Sequence, residues 1–227
     1  MSVVCTENLS RRFGARWAYA RIDCTLQPEE KLLLIGANGS GKTTFLRTIA
    51  TLLPPTLGNM QLFGLNPHKD VEKIRSQIGF LSYKTGMYED LSLVENLQFF
   101  ARLYNKTVSI TDIHRYIQQV GLDLRPEGIK TYSAGMRQRA TIALLLLKEP
   151  KLLLLDEPFS ALDPKGVEDI SRLLAGMPAS QIIVSHQIEE ASKICDKAML
   201  FENGLLRWQG EAHKAVLAWK ASQQEAV

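Results

Sequence analysis

Lys31-Leu32-Leu33-Leu34-Ile35-Gly36-Ala37-Asn38-Gly39-Ser40-Gly41-Lys42-Thr43 decides the fold of this chain. Its first five residues form a short leucine–isoleucine run, the pattern of a strand buried on both faces of a sheet. Its last eight match the Gly-x-x-x-x-Gly-Lys-Thr spacing of a phosphate-binding loop. A helix is expected from Lys42 to about Leu53, with Phe45, Leu46, Ile49 and Leu53 on one face and Pro54-Pro55 as its stop. The glycines let the backbone curl so that successive N–H groups point inward around phosphate oxygens. The helix N-terminus adds its positive dipole end. Lys42 would neutralise the β- and γ-phosphates, the Thr43 hydroxyl would ligate Mg²⁺, and Thr44 would donate to the α-phosphate. The bland alternative is a glycine-rich connector, against which three glycines followed by Lys-Thr weigh heavily.

Further along, Lys151–Leu155 reads as a second buried strand and delivers Asp156 and Glu157 at its C-terminal end, where ligand sites sit in open α/β sheets. Asp156 would hold the nucleotide's Mg²⁺, and Glu157 could polarise a water in line with the γ-phosphate. A solvated acidic turn before Pro158 is the alternative. Ile182-Ile183-Val184-Ser185-His186 is another buried strand, ending in a histidine that is either structural or a γ-phosphate contact. Other strands are expected at Val3–Asn8, Trp17–Leu26, Met60–Phe63, Ile78–Ser82 and Ala198–Glu202. Asn203-Gly204 then turns into Leu205–Gln209 as a hairpin.

The segment from about 84 to 149 changes to helical periodicity, with helices expected at Ser92–Tyr104, Thr111–Val120 and Ala134–Lys148. It reads as a helical subdomain inserted between two strands of an α/β core. The chain has 227 residues, no repeat and no linker, so one unit over 1–227 is expected, with Gln223–Val227 as a frayed end.

Composition narrows the function. A net charge of +3 with interspersed signs lends no support to nucleic-acid binding. Three cysteines without metal-type spacing point to a reducing compartment. No apolar run is long enough to cross a bilayer, so any membrane part would come from another chain.

Ser133-Ala134-Gly135-Met136-Arg137-Gln138-Arg139 opens the third of these helices, with Ser133 as its N-cap. It is either an ordinary capped helix or a second anion-binding helix start, which one mononucleotide would not need from the same subunit. The order Gly36–Thr43, Tyr132–Met136, Lys151–Glu157, Ser160–Asp163 and His186 resembles the ATP-binding cassette (ABC) ATPases across nearly the whole chain. That resemblance implies a P-loop core of mostly parallel sheet flanked by helices, with an antiparallel β piece at the N-terminus. It implies ATP hydrolysis, and a head-to-tail pair of identical cassettes in which each ATP lies between Lys42 of one subunit and Ser133, Ala134, Gly135 and Met136 of the other. Ser160-Ala161-Leu162-Asp163 would be the D-loop linking the two sites. Phe13 matches the aromatic that stacks on adenine, although by its residue type it could equally be buried in a strand. The implied partner is a separate integral membrane subunit, with this chain peripheral on the cytoplasmic face of the inner or plasma membrane.

The sequence departs from the family pattern in places. Tyr132, Ala134 and Met136 replace the commonest signature residues, and Glu29 stands where many members have glycine. Tyr83 occupies the place of a metal-reaching glutamine, leaving completion of the metal's coordination shell open. The stretch Ser82–Tyr104, with Tyr88-Glu89-Asp90-Leu91 and Glu95-Asn96-Leu97, is similar to the haem-exporter branch of cytochrome c maturation, which often has His-Gln at Tyr83-Lys84. Compact length and the Tyr132–Arg139 signature are shared with exporters of drugs and polysaccharides. A soluble ABC protein acting on ribosomes or DNA is the runner-up, and a catalytically dead regulatory cassette is disfavoured by Lys42, Asp156, Glu157 and His186.

Overall fold

The structure, a computed structural model, describes residues 1–82 and 86–225, so Tyr83 and Lys84 lie outside the described residues. Two sheets organise the chain. β1 (Val4–Phe13), β2 (Arg16–Leu26) and β4 (Leu57–Leu62) form an antiparallel sheet in the order β2-β1-β4. The larger sheet contains β3 (Lys31–Ile35), β5 (Ile78–Leu81), β6 (Leu152–Asp156), β7 (Ser180–Val184), β8 (Lys197–Glu202) and β9 (Leu205–Glu211). Its order is β5-β6-β7-β3-β8-β9, parallel except for the β8–β9 hairpin, whose turn places Asn203 and Gly204 at φ 49° and 78°.

The apolar strands β3, β6 and β7 work because both faces of the sheet are covered. Leu33, Ile35, Leu153, Leu155 and Ile183 point into one core with the helices that follow β5. Leu32, Leu34, Leu152, Leu154, Ile182 and Val184 point the other way. There they meet Phe45, Leu46 and Ile49 of α1 (Lys42–Ile49) and the inner side chains of the antiparallel sheet, including Leu9, Tyr19 and Ile22. Successive residues thus enter different cores, the period-two geometry of a strand.

Three helices lie in the chain between the neighbouring strands β5 and β6: α3 (Leu93–Leu103), α4 (Ile110–Gln119) and α5 (Ala134–Lys148). Each has a serine N-cap, and α3 closes a full capping box between Ser92 and Glu95. Asn96, wholly buried, fastens the loop leading into α3. Its Oδ1 accepts from the Tyr88 N–H at 2.8 Å, and its amide donates to the carbonyls of Tyr88, Leu91 and Ser92 at 3.0–3.1 Å.

Some sequence expectations are corrected. α1 ends at Ile49, short of Leu53, because Thr51 turns left-handed (φ 60°) and Arg75 donates to both its hydroxyl and its carbonyl at 2.9 Å. Arg75 belongs to α2 (Val71–Ser76), a helix too short to show periodicity. β1 runs on to Phe13, beyond the expected Asn8. The structure adds helix α6 (Pro164–Ala175), which Asp163 caps and Pro164 opens. It also adds α7 (Ile188–Ser192) and α8 (Ala215–Glu225), and α8 carries Gln223 and Gln224 of the expected frayed end. Glu29 sits at φ 63°, which accounts for a turn where glycine is the easier residue.

Replacing Asn96 by leucine keeps the volume but leaves the Tyr88 N–H without its acceptor, while the Tyr88, Leu91 and Ser92 carbonyls lose one donor each and keep backbone bonds from Leu91, Ile129 and Asn96. Urea unfolding is expected to show a loss of about 1–3 kcal/mol, the cost of one buried group left unsatisfied. Unchanged stability would mean that the loop re-forms without the amide.

Candidate functional site

The ladder β6-β7-β3 places three loops side by side. Leu34 pairs with Val184 and Val184 with Asp156, so the three strands end level with one another. Gly36, Glu157 and His186 therefore leave the sheet at the same edge. A cavity of about 940 Å³ opens there. The phosphate loop contributes Asn38 through Thr44, the DE turn contributes Asp156, Glu157 and Ser160, and His186 lies alongside.

Gly41 shows why the loop is glycine-rich. It is the N-cap of α1 at φ 107°, and a Cβ there would run into the carbonyl of Ala18. Lys42 is almost fully buried and donates to the carbonyls of Gly36 and Ala37, at 2.7 and 2.9 Å. An ammonium has three donors, so this leaves one N–H for another acceptor. Burial pushes the Lys42 pKa down, against the pull of the Glu157 and Asp156 carboxylates. Thr43 Oγ1 donates to Asp156 Oδ1 at 3.2 Å. Burial raises the Asp156 pKa, opposed by the Thr43 hydrogen bond and by Arg47, Lys42 and His186.

Glu157 is held at φ 55°, a left-handed backbone that non-glycine residues rarely adopt. Its Oε2 accepts from the His186 N–H at 3.2 Å. Its Oε1 is buried with no hydrogen-bond partner among the described residues, and His186 Nε2 stands 3.6 Å away, an ion pair whenever the imidazole is protonated. Burial raises the Glu157 pKa, opposed by the His186 amide and imidazole and by Lys42, and assisted by Asp156. Ser40 Oγ in the phosphate loop is likewise buried without a partner.

Phe13 also lines the cavity and is 48% exposed rather than buried in its strand. The Arg11 guanidinium stacks over its ring, 4.7 Å from the centroid. Arg16 and Ala18 line the cavity too, Ala18 with its carbonyl packed against Gly41 of the phosphate loop. Neither was singled out from the sequence, because the hairpin that carries them to the phosphate loop is a tertiary contact.

The start of α5 divides. Ser133 caps it, accepting from the Met136 N–H at 3.3 Å. Ala134 and Gln138, one helical turn apart, line the cavity, whereas Ser133, Gly135 and Met136 do not. Gly135 has a packing reason of its own, since a Cβ there would come within 2.6 Å of the Ala161 carbonyl. Asp163 is also outside the cavity. It accepts from the Gly166 N–H at 3.1 Å as the cap of α6 and lies 3.6 Å from Arg139 Nη2. Helix spacing puts Gln138 on the same face as Ala134, but only the packing of α5 against the turn after β6 turns that face to the cavity.

Comparison with known proteins agrees with this geometry. The ABC transporter family matches residues 19–160. The chain is 30% identical over 219 residues to the ABC transporter ATP-binding protein NatA of Bacillus subtilis, covering 92% of this chain and 89% of NatA. It is 33% identical over 209 residues to the bacitracin transport ATP-binding protein BcrA of Enterococcus faecalis, covering 90% of this chain and 68% of that protein. A bacterial ABC transporter cassette solved as a dimer superposes with a TM-score of 0.85 at 21% identity, covering 92% of this chain and 98% of that one. The chain belongs to the ABC transporter family and is one of its ATPase cassettes.

Proposed function

We propose that this chain is the ATP-hydrolysing motor subunit of an ABC exporter, working as a head-to-tail homodimer beneath a separate integral membrane subunit. The observation that carries the reading is the convergence of the phosphate loop, Asp156, Glu157 and His186 on one cavity. In it, Gly36, Ala37, Asn38, Gly39, Ser40 and Gly41 wrap the phosphates, Lys42 meets the β- and γ-phosphates, and Thr44 meets the α-phosphate. Phe13 offers its outer face to adenine, with Arg11 behind the ring.

The donor set suits Mg²⁺. Thr43 and Asp156 bring a hydroxyl and a carboxylate oxygen within 3.2 Å of each other. A hard cation that is otherwise bound by phosphate oxygens and water needs no larger cage of protein ligands. When bound, the ion would neutralise charge on the phosphates. Glu157, with one buried oxygen unpartnered, takes the proton of the attacking water. Its raised pKa makes it a better base than an exposed glutamate. His186 and Lys42 face the charge that develops on the γ-phosphate, and their contribution is mostly placement and electrostatics.

Ser133, Ala134, Gly135 and Met136 are assigned to the partner subunit's ATP, with Ser160 and Asp163 in the loop that joins the two sites. No helix among the described residues is long and apolar enough to cross a membrane. Membership of a transporter family supports a membrane partner and a peripheral place on the cytoplasmic face of the inner or plasma membrane.

Two readings of the cargo compete. Similarity of Tyr88–Leu91 and Glu95–Leu97 to haem exporters favours the cytochrome c branch. Those residues have local duties, however, in the capping box and in the Asn96 loop clamp, which any cassette can use. The bacitracin-transport name of a 33% identical relative favours another small exporter. Deleting the gene separates them. Loss of haem-stained c-type cytochromes supports the first, and hypersensitivity to a peptide or drug with normal cytochromes supports the second.

Glu157→Gln is expected to retain ATP binding while hydrolysis falls by about 10²- to 10⁴-fold, the usual worth of a general base. Normal turnover in that variant would remove Glu157 from the role. Chelating Mg²⁺ with EDTA is expected to abolish hydrolysis by the wild-type chain, with recovery on adding back the ion. Hydrolysis that persists under EDTA would refute the Thr43–Asp156 assignment.

A further inference from the structure

We propose that Gln138, at the start of α5, is a positioning residue for Glu157, clamping the end of β6 in its left-handed conformation. The proposal rests on the assignment of Glu157 as the carboxylate that activates water. A non-glycine residue at φ 55° holds that backbone only where its surroundings over-determine it. On the strand side the Glu157 N–H donates to the Val184 carbonyl at 2.9 Å. Beyond it, Ser160 donates to the Glu157 carbonyl from its N–H at 3.1 Å and from its hydroxyl at 2.9 Å, but Ser160 belongs to the same turn and moves with it. Gln138 comes from another element. Its Nε2 donates to the Glu157 carbonyl at 3.1 Å and to the Pro158 carbonyl at 3.0 Å.

The residue type fits the task. A glutamine amide carries two N–H donors on one nitrogen, one for each of two consecutive carbonyls. Glutamate has the same reach and only acceptors when ionised, and methionine fills similar space with no strong donor. Rotation of the Glu157 peptide would swing its carboxylate off line, and misplacement by about 1 Å can cost on the order of 10²-fold in rate. The clamp also has a direction. Ala134 and Gln138 share one face of α5 and both line the cavity, so a displacement of the helix start is carried by Gln138 to Glu157. Gln187 adds a longer bond to the next carbonyl, that of Phe159, at 3.4 Å, from the loop after β7. The turn is thus held from both sides, by α5 and by the His186 loop.

The test uses the purified full chain with Mg·ATP, carrying Gln138→Met or Gln138→Glu, alone and combined with Glu157→Gln. Steady-state and single-turnover hydrolysis, ATP affinity and the melting midpoint are measured for each. Both single variants are expected to lose about tenfold in kcat, with KM and ATP affinity within about twofold. On the Glu157→Gln background, Gln138→Met is expected to remove less than about twofold more, because the group it positions is already gone. A packing role would repeat the loss in that background, which overturns the proposal. So does unchanged kcat in both single variants, or a loss that falls on KM. If instead Glu157→Gln alone keeps full turnover, the assignment of Glu157 fails and the inference falls with it, a result distinct from a silent Gln138.

Discussion

The hydrogen-bond register joining β3, β7 and β6 is the constraint on which the rest depends. Leu34, Val184 and Asp156 stand in one row across three parallel strands, and parallel ladders are evenly spaced, so a slip of one residue would misplace everything beyond it. It would also exchange the two faces of the slipped strand, sending Leu33 or Leu153 into the core that receives Leu34 or Leu154. The cores on either side of the sheet hold the register, and the register holds the site. Residues of the cavity separated by more than a hundred positions, such as Thr43 and Asp156, meet at hydrogen-bond distance for this reason.

Charge at this edge is kept where water is scarce. Lys42, Asp156 and Glu157 are each shifted toward the neutral form by burial, and each is pulled back by its neighbours of opposite sign. A cluster of this kind is costly to the fold when incomplete and strong when a polyanion arrives, since interactions in a low-dielectric pocket are weakly screened. The left-handed Glu157 and the orphaned oxygens of Ser40 and Glu157 belong to the same economy of strain at a functional edge.

Much of this was legible in the residues. The apolar runs of β3, β6 and β7, the phosphate loop and the three serine-capped helices were all read with boundaries close to those found. The differences have separate causes. α1 was drawn to Leu53 from its periodicity, but Arg75 from another helix binds Thr51 and ends it early. α2 and α7 have too few residues to show a period. Asp163, expected in a loop, also caps α6, a duty legible in Asp163-Pro164. Asn96 looked like a mark of one branch of the family, yet its buried amide ties down a loop.

By itself, the sequence determined the local chemistry: which segments are strands or helices, where a phosphate loop must form, and which carboxylates and histidine stand at strand ends. Those properties arise from side-chain periodicity and backbone preference within a few residues. Only the tertiary structure decided that Phe13 lies open beside the loop, that Ala134 and Gln138 face the cavity while Ser133 and Gly135 do not, and that Gln138 grips the backbone of Glu157. Those facts depend on how helices and sheets pack across long stretches of chain, where the geometry is set by the fit of two cores against one sheet and leaves no trace in local pattern.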